Sequence, residues 1–405
     1  MIVERRALLR FMALYAALFS AFGFSSPFLP AFLAARGLGA EQLGLVLGAA
    51  TALRLVSGPL AGRVADRLEL FRAELAICAV LAAGAALLYL ATRGFWTVML
   101  VALLQAGALA PLVPLADALT LAHAQRRAGR PGFEYGWVRG VGSAAFIAGT
   151  VLAGFAIGAY GLSAIIWLSA AALLLVPPAA RLVPAFPAEA AHAGSKQAET
   201  PPRPWLTLLR LRAFVLVTAV AALVLGSHAM YDSFAVIRWR EAGIGSATTG
   251  VLWAESVAAE VVVFFFLGPR FLRAFTPAAA LGVAAASGIL RWAVIAQTTN
   301  IAALALVQPL HGLTFALLYL ASMHIITDTT PRALAATAQA VYGLIGIGGA
   351  TAAVTLLSGW LYARFGPAGF WAMAVLCAAA YPVIWRLGRE LAASAHVRRQ
   401  GAYIP

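Results

Sequence analysis

Glu260, His311, Arg291, Arg54, Asp117, Arg139, His228 and Asp232 are ionisable residues set inside runs that are otherwise apolar. At the centre of a bilayer such a group costs about 2.5–3.5 kcal/mol on insertion scales, so it must face protein or water and it usually has a partner. The chemistry open to these residue types is proton uptake and release by carboxyl and imidazole, and anion recognition by guanidinium. Helix rise converts sequence position into depth. Asp117 stands about five residues from the end of one run and Arg139 about five residues into the next, so both lie roughly 8 Å inside the same boundary and can pair or share water. Arg54 and Glu260 lie about halfway along their runs. Arg54 is a candidate for holding an anion or a carboxylate from a neighbouring helix, and Glu260 is a candidate proton carrier. His311 is near mid-depth, with Gln308 one turn earlier on the same face. His228 and Asp232 are four apart and can share a face, with Tyr231 between them and Arg291 at a depth similar to Asp232. Each of these groups has an alternative use as a structural brace between helices. Asp232 and Glu255 can also be hydrated near the outer boundary, and His324 and Asp328 fall at the inner one.

The elements that must position these groups follow from composition. The chain has 405 residues, 62% hydrophobic and 11% charged, where a soluble domain carries about a quarter charged residues. It divides into runs of about 20 residues, long enough to cross a hydrocarbon layer of roughly 30 Å. Twelve spans are expected, at approximately 8–34, 41–65, 73–92, 95–122, 134–158, 161–183, 209–237, 247–267, 275–297, 300–327, 333–362 and 367–388. The net charge of +14 is distributed by insertion rather than by a nucleic-acid partner. Arg36, Arg93, Arg238, Arg240 and Arg364 lie on one side and Arg54, Arg139 and Arg291 within spans, leaving 21 of the 29 Lys and Arg on the other side. That asymmetry places both termini in the cytoplasm and reads as an all-α integral protein of the inner membrane. The basic start followed by an apolar run reads as a retained first helix. Cys78 and Cys377 sit inside spans, with no metal or disulfide pattern. No P-loop, G-x-S-x-G, H-E-x-x-H or C-x-x-C occurs, so no enzyme, catalytic residue, metal or cofactor is expected.

The chain also repeats itself. RGLGAEQLG (36–44) answers to AGIGSATTG (242–250), with Gly37, Gly39 and Gly44 on Gly243, Gly245 and Gly250. The same offset sets Gly62 on Gly268 and Arg54 on Glu260. LAGFAIGAYG (152–161) answers to LSGWLYARFG (357–366). Residues 185–208, rich in Pro, Ala and polar residues, read as a cytoplasmic connection between an N-terminal six-helix bundle (1–184) and a C-terminal one (209–391), with a tail at 392–405. Six spans per half gives two parallel repeats, an arrangement that works by rocking one half against the other about a midplane site.

GPLAGRVADRLELFR (58–72) resembles the signature of the major facilitator superfamily between its second and third helices. Gly62, Asp66 and Arg67 match the G-x-x-x-D-R core, while the glycine and basic cluster that usually follow are replaced around Leu68, Glu69 and Arg72. GSHAMYDSFAVIRW (226–239), GVLWAESVAAEVVVF (250–264), LRW (290–292), VQPLHGLTFALLYLA (307–321) and YGWVRGVGSAAFI (135–147) resemble the phenylpropionate-transporter-like branch, related more distantly to lactose permease and nucleoside–proton symporters. The resemblance implies a twelve-helix transporter with proton-coupled uptake of a small organic solute such as an aromatic carboxylate, nucleoside or sugar. It directs interest to His228, Tyr231, Glu260, Arg291, Gln308, His311, Asp117 and Arg139. On this reading Glu260, His311, Asp117 and Arg139 serve proton coupling. Arg54, Arg291, His228, Tyr231, Asp232 and Gln308 serve substrate binding, and Gly62, Asp66 and Arg67 serve gating. The partners are substrate, protons and the lipid bilayer, and the chain is expected to be a monomer driven by the proton gradient. Asp232 stands where the branch tends to have a second Tyr and Glu255 where it tends to be apolar, departures that point either to a neutral or cationic solute or to an altered coupling route. A proton-driven exporter and a non-transporting sensor on the same scaffold are the alternatives.

Overall fold

Inside a hydrocarbon layer no water is at hand for the backbone, so each run must satisfy its own N–H and C=O groups, and helix is the local solution. The structure, a computed structural model, describes residues 2–124, 133–184 and 204–401. Among these, eleven helical runs are long and apolar enough to cross a membrane. They are α1 (Arg5–Ser25), α2 (Ala40–Leu68), α3 (Phe71–Leu88), α4 (Phe95–Ala124), α5 (Tyr135–Tyr160), α6 (Ala164–Leu182), α7 (Arg212–Glu241), α8 (Ser246–Ala274), α9 (Pro277–Gln297), α10 (Ile301–Thr329) and a run of 62 residues, Arg332–Ala393. At 1.5 Å per residue that last run would be roughly 90 Å long, three times the hydrocarbon thickness. A 3-10 turn at Gly366–Gly369 breaks it into α11 (332–365) and α12 (Phe370–Gly401), which supply the last two expected spans. The connection expected over 185–208 lies outside the described residues up to 203; helix resumes at Pro204–Arg210. The tail expected from 392 begins inside α12, and its end, 402–405, lies outside the described residues.

The repeat read from the glycines extends to the backbone. Gly37 has φ 93° and its counterpart Gly243 has φ 81°; Gly161 has φ 78° and Gly366 has φ 54°. Both pairs occupy the left-handed region that a Cβ disfavours, so the same turn recurs at matched positions. Glu69 is the one non-glycine with positive φ among the described residues, at 55°. It caps α2 where the signature usually has glycine.

The chain parts into two compact units, Met1–Lys196 with Ser233–Glu255, and Gln197–Asp232 with Ser256–Pro405. The first has a core of Phe11, Leu14, Leu18, Leu75, Leu115 and Val138 from α1, α3, α4 and α5. Helices α1 and α5 approach backbone to backbone: a Cβ on Gly149 would stand 3.0 Å from the carbonyl of Ser20. Small residues permit this closeness in lipid, where no hydrophobic force drives helices together. In the second unit α9 packs on α12 and α7 on α12, around Trp292, Phe214, Phe370 and Met373, all fully buried. Three π-helical turns interrupt its helices, at Val263–Leu267 in α8, Leu313–Leu317 in α10 and Tyr342–Gly349 in α11.

Candidate functional site

Local chain chemistry sets up the second unit's polar centre. Pro309 has no N–H to give to the helix, and α10 is interrupted at Gln308–Pro309. It tightens there, with His311 N donating to Gln308 O at 3.0 Å, and then widens into the π turn Leu313–Leu317. Such turns re-aim side chains and are frequent at functional positions. Gly312 removes the remaining obstacle to α8: a Cβ there would stand 2.6 Å from the carbonyl of Ala259. The backbones therefore approach beside Glu260, and His311 Nε2 comes 3.5 Å from Glu260 Oε2.

Arg291 on α9 is fully buried and joins the groups on α10 to those on α7. Its guanidinium donates to His311 Nδ1 at 3.0 Å and to Gln308 Oε1 at 3.1 Å. Gln308 Nε2 in turn donates to the phenol oxygen of Tyr231 at 2.6 Å. The guanidinium also lies 4.3 Å from the Tyr231 ring centroid and 4.7 Å from that of Trp292. Arginine has donors only, so His311 Nδ1 must accept. In the neutral imidazole the proton then sits on Nε2, the atom that faces Glu260. A path Glu260–His311–Arg291–Gln308–Tyr231 thus runs through three helix contacts with every role assigned.

His228 is buried beside this path, its ring 5.0 Å from that of His311 and 5.2 Å from that of Trp292. Its Nε2 has no hydrogen-bond partner among the described residues. Trp292 Nε1 donates to Ser227 Oγ at 2.8 Å, which anchors the start of the same turn of α7. Asp232 interacts electrostatically with Arg291, but its side chain is exposed where His228 is buried. Arg291 nevertheless acts electrostatically on both, so the two groups differ in burial while sharing one cation. Phe315 stacks on His311 at 5.7 Å.

The first unit holds a separate centre. Asp117 Oδ1 accepts hydrogen bonds from Tyr15 and from Tyr135, the latter at 2.8 Å. Arg139 NH1 is 3.9 Å from the same oxygen and its guanidinium lies 5.0 Å from the Phe19 ring. Asp117 and Arg139 therefore do stand together, but two phenols are the closer partners. Tyr15 and Tyr135 escaped the sequence reading because a tyrosine in an apolar run reads as an interface anchor. Arg54 is exposed, with no hydrogen bond or ion pair to another described residue. It lies in the first unit and Glu260 in the second, so the structure gives these counterparts different surroundings. Asp66 and Arg67 are exposed at the end of α2 and Gly62 is half-buried there; among the described residues no hydrogen bond or ion pair joins these three to either centre. Glu255 is half-buried and Trp253 buried, both in the first unit, and His324 and Asp328 form an exposed pair at 3.5 Å.

A family model described as "MFS_1 like family" matches residues 8–373. The chain is 33% identical over 372 residues to a "Probable 3-phenylpropionic acid transporter" of Escherichia coli (strain K12), covering 91% of this chain and 94% of that protein. It is 24% identical to "Maltose permease" of Geobacillus stearothermophilus over 88% of each chain. Among solved structures, nucleoside transporter NupG superposes with a TM-score of 0.78 at 16% identity, covering 95% of this chain and 98% of that one, a likeness of fold.

Proposed function

The chain belongs to the MFS_1 like family and is a membrane transporter of the major facilitator type, and from that premise we propose that it takes up a small aromatic carboxylate together with protons. The observation that carries this reading is the continuous path from Glu260 through His311 to Arg291. A carboxylate and an imidazole able to exchange a proton are coupled there to a cation able to hold an anion, so occupancy by a proton and by a substrate can influence one another. The likeness to a phenylpropionate transporter supports an aromatic acid, and the Tyr231, Trp292 and Phe315 rings beside Arg291 and His311 suit one. In this reading Glu260 and His311 carry the proton. Arg291, with Gln308, Tyr231, His228 and Asp232, governs the substrate side, and Arg54 supplies a second cation from the other repeat. Asp117 and Arg139 couple the first repeat to the cycle, and Gly62, Asp66 and Arg67 serve a gate. No cofactor is needed: the proton gradient drives a monomer in the inner membrane, with both termini cytoplasmic, through alternating access.

The test is uptake of labelled 3-phenylpropionate into proteoliposomes under an imposed inward proton gradient. Wild type is expected to accumulate it, and Glu260→Gln to lose accumulation while keeping counterflow exchange, since the amide preserves shape but carries no exchangeable charge. Accumulation indifferent to the gradient would refute symport. Gradient-driven extrusion would favour the exporter.

A second prediction concerns the first unit. Asp117→Asn removes the charged acceptor of Tyr15 and Tyr135 and the carboxylate beside Arg139, and uptake should fall about tenfold or more, a hydrogen bond to a charged group contributing about 1.5–3 kcal/mol. The double variant Asp117→Asn, Arg139→Gln should recover part of it. Full uptake by the double variant would leave the pair a brace only.

A further inference from the structure

Arg210, Arg212, Arg386 and Arg389 gather around a groove of about 570 Å³ at one end of the second unit, with Trp385 and Glu390 completing its rim. All four guanidiniums are exposed, and none forms a hydrogen bond or ion pair with another described residue. Among the described residues Arg389 lies over the Trp385 ring, 4.9 Å from its centroid. Four cations against one carboxylate leave the groove strongly cationic. Its place along the helices is equally informative. Arg212 opens α7, and Arg386 and Arg389 lie about 24 and 29 Å along α12 from Phe370, where a hydrocarbon layer of roughly 30 Å ends. The two pairs therefore meet at one membrane boundary. On the charge asymmetry of the whole sequence this is the cytoplasmic one.

The geometry points to a docking site for an anionic phospholipid at this groove. Guanidinium forks match phosphate oxygens in pairs, and basic pockets between helices on the cytoplasmic side suit acidic head groups. Leu209 and Val215, 44% and 40% exposed, and Trp385, 62% exposed, offer an apolar wall for the glycerol and upper acyl chain. The contrast with the other basic groove is instructive. Around Arg72 and Arg181 the cavity is of similar size, about 610 Å³, but it has two arginines against Glu69. Arg72 is already committed to the Val183 carbonyl at 3.1 Å. The site does not rest on the transport reading, and its test uses no substrate.

The purified full-length protein, stripped of lipid and then exposed to vesicles of phosphatidylglycerol or phosphatidylcholine, can be weighed by native mass spectrometry. Wild type is expected to retain one phosphatidylglycerol in preference to phosphatidylcholine. R386Q/R389Q should weaken that preference about 25-fold, each cation near a membrane surface being worth roughly a factor of five. R72Q/R181Q should leave it unchanged. If the glutamine variant does not fold, R386K/R389K carries the test: loss of the forks should lower the preference several-fold at constant charge. Millimolar inorganic phosphate should not displace the lipid. Equal retention of the two lipids by wild type, an unchanged preference in the Arg386 and Arg389 variants, or full displacement by inorganic phosphate would each overturn the proposal.

Discussion

Arg291→Ala is expected to cut uptake of 3-phenylpropionate by about two to three orders of magnitude. The guanidinium is fully buried, and it touches both His311, at 3.0 Å, and Gln308, at 3.1 Å. Removing one member of a buried charged network costs about 3–5 kcal/mol, because the partners left behind stay desolvated. Spent on the transport cycle, that range corresponds to roughly 10²–10³ or more in rate. The damage spreads by a definite route. Without the donor at Nδ1, the His311 tautomer is no longer fixed, and its Nε2 no longer presents a proton to Glu260 by necessity. Gln308 loses the partner that orients its amide, and with it the reason for its Nε2 to face Tyr231. Arg291→Lys keeps the charge and is nevertheless expected to fail by tenfold or more, since one ammonium cannot reproduce a planar fork held between two rings. Uptake by intact cells, normalised to folded protein in the membrane, checks both. Wild-type rates in Arg291→Ala would remove Arg291 from the mechanism.

Much of this centre could be anticipated from residue type and depth, and the failures have physical causes. Arg291, His311 and Gln308 are polar residues in apolar runs, and residue type marks each of them; helix rise set Arg291 level with Asp232, and its bonds to His311 and Gln308 are tertiary contacts that depth did not give. Which carboxyl would meet His311 depended on helix separation, and that is set by Gly312 against Ala259 and by π turns that no periodicity announces. Asp117 and Arg139 were brought together by counting from a shared boundary. Tyr15, which is 102 residues from Asp117 in sequence, shares only a tertiary contact with it. The repeat was legible because a left-handed turn at Gly37 and Gly243 tolerates little but glycine. The fates of Arg54 and Glu260 were not, since repeat position fixes depth but not neighbours: Glu260 meets an imidazole and Arg54 is exposed. The degraded signature at Glu69 reads as simple divergence in sequence. In the structure it is a side chain held at φ 55°, in the conformation the usual glycine would accept without strain.

Gly250→Trp should block uptake while leaving binding of 3-phenylpropionate intact. Within the first unit, α5 crosses the opening turns of α8 with almost no space between the chains. A Cβ on Gly250 would stand 2.8 Å from the Thr150 carbonyl and 3.4 Å from the Gly154 Cα, and a Cβ on Gly154 would stand 2.5 Å from the Ser246 carbonyl. Two glycines face each other because neither helix can yield: the obstacles are backbone atoms, not the movable ends of side chains. An indole at either position cannot be accommodated without parting α5 from α8. The segment Ser233–Glu255 would then lose this close contact with the rest of the first unit. On the proposed alternating-access reading this crossing, at the end of α8 that the charge asymmetry assigns to the outside, forms once per turnover. Preventing it should hold the outer path open, so that the substrate binds and leaves on the same side. Uptake is therefore expected at background, and thermal stabilisation by 3-phenylpropionate should persist, since Arg291, His311 and Gln308 belong to the other unit. A single cysteine placed at Ser246 should become reactive toward a membrane-impermeant maleimide in the tryptophan variant and remain protected in wild type. Gly154→Trp, acting from the opposite face of the same crossing, should give the same three results. Normal uptake by either variant would mean that the crossing does not close the outer path.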